Sequence, residues 1–212
     1  IPDRSFLDNC AFVCIDIQEN SYHPMTENKM PQGWLDMGKT AEDVNQANQF
    51  LYATALPNAC RVVDACRAAQ LPLIFIHWGY RFRDGMDLDP ATYNSFRRGI
   101  GPDPSKWPHH ISAPDSKPAD AFSVREGEYV IPKTAQDAFP SSNIEYVLQN
   151  LGIENIIFVG GHTGACLGKT SKTAILRGYK TLCVKDATYD AFASTHMENL
   201  KATGYHYITT TC

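Results

Sequence analysis

The chain has 212 residues, with 19 Lys plus Arg against 23 Asp plus Glu and a formal net charge of -4. That length suits one α/β domain with a sizeable core, and no run of five or more basic residues offers a nucleic-acid footprint. No apolar stretch approaches the roughly 20 residues of a membrane span, and none reads as a signal-peptide core.

The first apolar run covers residues 11–16 and ends on Asp16 in Val13-Cys14-Ile15-Asp16-Ile17-Gln18. A polar stretch over 20–40 follows, with Pro24, Pro31 and Trp34. Residues 57–69 read as a helix opened by Pro57, with Val62, Val63, Cys66 and Ala69 on one side. A second strand is expected over 71–77. The next long loop, 81–120, holds Pro90, Pro102, Pro104 and Pro108 and the aromatics Phe82, Tyr93, Phe96 and Trp107. A third strand falls at 128–131, with Lys133 just beyond it. The pattern then gives a serine-capped helix over 141–151 ending at Gly152, a strand over 155–160, and a helix over 167–177. A strand over 181–186, a helix over 194–202 with a serine cap, and a strand over 205–210 complete the chain.

Strands alternating with helices imply βαβ units, a mainly parallel sheet and helices on both faces. Ligands of such sheets bind at the carboxyl ends of the strands. The two long loops leave from those ends and read either as pocket walls, lids and subunit contacts or as surface elaboration. The reading is therefore one domain over 1–212 with long loops at about 20–40 and 81–120. The chain opens at Ile1, which fits a processed or trimmed N-terminus.

Seven cysteines, at 10, 14, 60, 66, 166, 183 and 212, form an odd, unclustered set without a C-x-x-C pair. Cys10, Cys14 and Cys183 lie in apolar runs and read as buried reduced thiols. A cytoplasmic location is the expectation that follows.

The densest chemical signal is Gly160-Gly161-His162-Thr163-Gly164-Ala165-Cys166. A strand passes through a turn of small residues and delivers a cysteine to the first turn of a helix. Unpaired N–H groups and the helix dipole favour a thiolate there, and the glycines admit backbone donors close to a ligand. Asp16 ends a buried strand at the same edge, either as a partner for that sulfur or as a loop-anchoring carboxylate. Lys133 follows another strand, as a third member of the group or as a solvated surface lysine.

The order Asp16, Lys133, Cys166 resembles the Asp-Lys-Cys triad of the isochorismatase-like cysteine hydrolases. Its flanking segments are Phe12 to Gln18, Ile131-Pro132-Lys133-Thr134, the glycine turn, and Val184-Lys185-Asp186-Ala187-Thr188. The resemblance implies a three-layer α/β/α fold with a six-stranded mainly parallel sheet, a homo-oligomer (dimer or tetramer), and hydrolysis of a C–N bond in a small-molecule substrate. It also implies a cis peptide at Gly161-His162 and an oxyanion site made by the turn Gly161, His162 and Cys166. The alternatives are an ether hydrolase of the isochorismatase type, a non-catalytic binding protein, and a thiol-transfer role in which Cys183 resolves Cys166. Neither nucleic acid nor membrane is an expected partner.

No cofactor is expected. The nicotinamidase branch binds a metal through an Asp-x-His pair, and the matching stretch Phe75-Ile76-His77 has no such acid. Asp84, Asp87, His109 and His110 have no recognised ligand spacing, so the metal expectation is none. Gln18, Trp34, His77, Trp78, Tyr80, Arg81 and Phe96 are candidates for the substrate pocket, or for packing and subunit contacts instead.

Overall fold

A computed structural model describes residues 2–19 and 24–211. Ile1, residues 20–23 of the first long loop, and Cys212 lie outside the described residues. Six strands, β1 (Cys10–Ile15), β2 (Leu73–Trp78), β3 (Tyr129–Lys133), β4 (Asn155–Gly160), β5 (Lys180–Thr188) and β6 (Tyr207–Thr209), form one sheet in the order β3-β2-β1-β4-β5-β6. All five strand pairs are parallel. The chain reverses direction across the sheet between β1 and β4, the crevice where α/β sheets hold ligands.

The helices are α1 (Gln32–Asp36), α2 (Ala41–Phe50), α3 (Leu56–Ala68), α4 (Pro90–Gly99), α5 (Ala138–Ser141), α6 (Ile144–Asn150), α7 (Cys166–Leu176) and α8 (His196–Thr203). Alternation along the strands divides the core in two. Phe12, Cys14, Phe75 and Val159 face Ala55, Ala59, Val63 and Cys66 on one side. Val13, Ile15, Ile74 and Phe158 face Ala138, Ile144, Leu148, Leu167 and Ala174 on the other. Both faces of β1 and β4 are buried, which is why these strands read as continuous apolar runs.

Several boundaries differ from the sequence reading. The helix expected over 57–69 is the end of a longer one that begins at Ala41, where the Thr40 hydroxyl accepts from the Asp43 N–H. A π-helical stretch over Leu51–Ala55 joins α2 to α3. Pro57 has no N–H to give and its ring crowds the preceding turn; the wider π turn lets the helix pass it. The helix expected over 141–151 is two pieces, α5 capped by Asp137 and α6 beginning at Ile144. Ser141 does not cap: its hydroxyl donates to the Asp137 carbonyl. Ser194 does not cap either. It donates through its N–H and hydroxyl to Asp43, tying the start of the last helical segment to α2. The 81–120 loop contains α4, capped by Asp89 and led by Pro90. Lys133 is the last residue of β3 rather than the residue beyond it.

Candidate active site

Two backbone features bring the ends of β1 and β4 together. Asp16, the residue after β1, has φ 54°, the left-handed region that a non-glycine residue adopts only when its surroundings hold it there. Gly160 has φ 106°, and a Cβ on it would lie 2.0 Å from the Ile15 carbonyl oxygen. The glycine is thus needed for contact between strands, not for approach to a ligand. The next residue is similar: a Cβ on Gly161 would come within 2.5 Å of the Tyr189 ring. The Gly161-His162 peptide is cis.

Asp16, Lys133 and Cys166 meet at this edge. The Lys133 Nζ lies 2.9 Å from the Asp16 carboxylate. It also sits 3.9 Å from the centre of the Trp78 ring and donates to the Ala135 carbonyl at 3.2 Å. Lys133 is 0 % exposed and Asp16 9 %. A buried ammonium is tolerated because a counter-charge, an aromatic face and a carbonyl replace its water. The Lys133 approach to Asp16 is an ion pair off the hydrogen-bond axis. Among the described residues, no donor meets either Asp16 oxygen in hydrogen-bond geometry.

Cys166 opens α7 and is 5 % exposed. Burial pushes its thiol up to about 12, the nearby Asp16 charge acts in the same direction, and Lys133 opposes them. The thiolate expected from the helix N-terminus is therefore corrected: desolvation and the Asp16 charge raise the thiol, and the resting sulfur carries its proton. The other sulfurs follow the same rule. Burial raises Cys10, Cys66 and Cys183 to about 12.

The turn itself is held from both sides. The His162 carbonyl accepts from the N–H groups of Ala165 and Leu167 at 3.0 and 3.1 Å. Among the described residues, the N–H groups of His162 and Cys166 meet no acceptor. The His162 ring packs edge-on against Tyr189 at 5.1 Å, and burial lowers its pKa, so the imidazole is neutral. Tyr189 and Asp190, which follow β5, are the residues that the sequence reading passed over. Asp190 accepts from the Gly164 and Ala191 N–H groups, the Thr195 hydroxyl and the Asn199 amide. Burial alone would raise its carboxyl, but those donors hold it below the ordinary range. An acid just past the carboxyl end of a buried strand was the signal that singled out Asp16, and it applies equally to Asp190.

The seven pocket candidates divide by location. Trp78 lies against Lys133, and burial lowers the pKa of the neighbouring His77, whose Nδ1 is 3.1 Å from the Trp78 carbonyl oxygen. Gln18 uses its whole amide on backbone: it donates to the Trp78 and Asp115 carbonyls and accepts from the Trp78 N–H. Trp34 packs on Phe192 at 5.0 Å in a small cluster with Met30, Ala41 and Val44. Tyr80 and Phe96 belong to an aromatic knot around Trp107. Arg81 is exposed, and its N–H donates to Asp87. Among the described residues, no group of three or more His, Cys, Asp or Glu side chains is arranged to hold a metal ion, and no helix is long and apolar enough to cross a membrane.

A six-stranded parallel sheet with helices on both faces, carrying an acid, a lysine and a cysteine at its switch point, defines an isochorismatase-like α/β/α protein. Residues 10–211 match the isochorismatase domain, and the chain belongs to the isochorismatase family. It is 29% identical over 140 residues to N-carbamoylsarcosine amidase of Arthrobacter sp, a match covering 65% of this chain and 50% of that protein. The match thus spans half the length of that relative. To ureidoacrylate amidohydrolase RutB of Azorhizobium caulinodans it is 25% identical over 203 residues, 87% of this chain and 78% of the relative. In structure it is similar to an isochorismatase family protein of Desulfovibrio vulgaris. The TM-score is 0.67 at 18% identity, over 95% of this chain and 94% of the other. That likeness shows the fold.

Proposed function

We propose that the chain is a cysteine hydrolase that cleaves an amide or carbamoyl-type C–N bond of a small molecule through a thioester. The observation that carries this reading is the Asp16–Lys133 pair at 2.9 Å, buried against a protonated Cys166 at the start of α7. The amidase names of the two sequence relatives support it.

Because the thiol is protonated at rest, its proton must pass to a base for sulfur to attack. Asp16 takes the Cys166 proton so that sulfur can bond to the acyl carbon. Lys133 keeps an opposite charge beside the carboxylate and the forming intermediate. The developing oxyanion is received by the N–H groups of His162 and Cys166, which meet no acceptor among the described residues. Asp16 then returns the proton to the leaving nitrogen, and the C–N bond breaks to leave the thioester. Water, deprotonated by the same carboxylate, attacks the acyl carbon; the C–S bond breaks and sulfur regains a proton. We extend the proposal to a homo-oligomer, since β3 is an edge strand with Tyr129 and Val130 exposed.

The test is Cys166→Ala against nicotinamide, N-carbamoyl amino acids, biuret and simple aliphatic amides. Turnover by the wild-type protein is expected on at least one, falling at least ~10³-fold in the variant. Equal turnover by the pure variant ends the nucleophile assignment.

A further inference from the structure

Tyr189 touches both halves of the candidate site. Its hydroxyl donates to the Asp16 carbonyl at 2.8 Å. Its ring packs edge-on against His162 and fills the space beside Gly161 where a Cβ would fall. Its main chain continues the connection, the N–H donating to the Gly160 carbonyl and the carbonyl accepting from the Thr163 N–H, both at 3.0 Å. The residue is buried, and desolvation holds its phenol well above the ordinary range, so it remains a hydrogen donor.

Asp16 needs such support for two reasons. Its backbone is in the left-handed region, which costs about 1 kcal/mol or more for a non-glycine residue. Its carboxylate is held by the Lys133 ion pair at 2.9 Å without an aligned hydrogen bond among the described residues, so the backbone of Asp16 shares in deciding where the oxygens point. We propose that Tyr189 is a positioning residue that fixes the Asp16 carboxylate and the His162 N–H relative to the Cys166 sulfur. The role rests on the cysteine-hydrolase reading.

Tyr189→Phe removes one oxygen and keeps the ring contacts with Gly161 and His162, so the fold is retained. The expected result is a fall of about tenfold in kcat with KM within about twofold, as for loss of one buried hydrogen bond that orients a reacting group. The pH profile of Cys166 alkylation by iodoacetamide should also move to lower pH, because the Asp16 charge that holds the thiol up is less firmly placed. Thr188→Val is the control. It deletes a buried hydroxyl one residue away, which donates to the Lys185 carbonyl at 2.8 Å. That variant should lower the melting temperature and leave kcat and the alkylation profile unchanged. A Tyr189→Phe protein that keeps the wild-type kcat, or loses it with an unshifted profile, overturns the proposal. If no turnover depends on Cys166 in the wild-type protein, the hydrolase reading fails, and the alkylation profile still decides whether Tyr189 places Asp16.

Discussion

The carboxyl edge around Cys166 and the aromatic knot around Trp107 are both buried, yet they are built on opposite principles. At the edge, polar groups far apart in sequence meet: Asp16 just after β1, Lys133 from β3, Cys166 from α7 and Tyr189 beyond β5. In the knot, Tyr93 and Phe96 pack edge-on against Trp107 at 5.2 and 5.8 Å, and Tyr80 donates to the Pro104 and Trp107 carbonyls. Trp107 itself donates to the Gly101 carbonyl at 2.8 Å. Most of these contacts lie within one loop. The edge is therefore made by the sheet, whereas the knot is made by its own side chains. Gln18 and Ser116 fasten it to the sheet through the Asp115 and Trp78 carbonyls. Aromatics in a long loop are accordingly weak evidence for a ligand pocket, because the loop needs a core of its own.

The hardest blow to that contrast is Lys133→Met. It leaves Asp16 buried without its counter-charge, so loss of turnover should accompany a destabilisation of about 3–5 kcal/mol. Urea denaturation measures it, and a change under 1 kcal/mol would mean that water reaches Asp16. Trp107→Ala attacks the other region. Deleting a buried indole should cost about 3 kcal/mol or more, with kcat for the best amide substrate changed less than about threefold. A collapse of kcat would show that the knot also shapes the site.

Alkaline pH sharpens the comparison between thiols at the edge and in the core. Burial raises Cys166 and also Cys10, Cys66 and Cys183 to about 12, from an ordinary value of 9.0. Above pH 9 the unfolded chain releases these protons and the folded chain keeps them. The stabilisation is therefore complete below pH 9 and is lost as pH rises from 9 to 12. The slope is on the order of 1.4 kcal/mol per pH unit for each such thiol. Urea midpoints at pH 8 and 10.5 should differ accordingly, and Cys183→Ala should flatten the slope. Equal midpoints would contradict the burial of these sulfurs. The smallest effect belongs to the Arg177–Glu145 pair, whose side chains are partly exposed. Arg177→Ala should change stability by at most about 1 kcal/mol, and a larger loss would point to the Arg177 contact with the Phe139 ring.

Much of the fold was legible because buried parallel strands leave an unmistakable apolar run. All six strands were placed, and Gly152 and Gly204 stop their helices with φ 65° and 82°. The helix over Ala41–Phe50 was missed because polar Glu42, Asn45, Gln46 and Asn48 obscure a narrow stripe of Ala41, Val44 and Ala47. The serine caps misled because Asp137 and Asp43 take those hydroxyls through local and tertiary bonds. At the site, the strand-end positions of Asp16 and Lys133 and the turn before Cys166 were readable. Tyr189 was not, since its role depends on a hydrogen bond to a residue 173 positions away.

By itself the sequence determined the alternation of strands and helices and the parallel sheet. It also determined that an acid, a lysine and a sulfur lie at one end of that sheet, because hydrophobic period and strand polarity are local properties. Only the tertiary structure decided how those groups behave. The thiol that a helix terminus alone would ionise stays protonated, the lysine loses all contact with solvent, and the two glycines answer to Ile15 and Tyr189. The physical reason is desolvation: the energy of a charge or a donor depends on how much water the rest of the chain removes from around it.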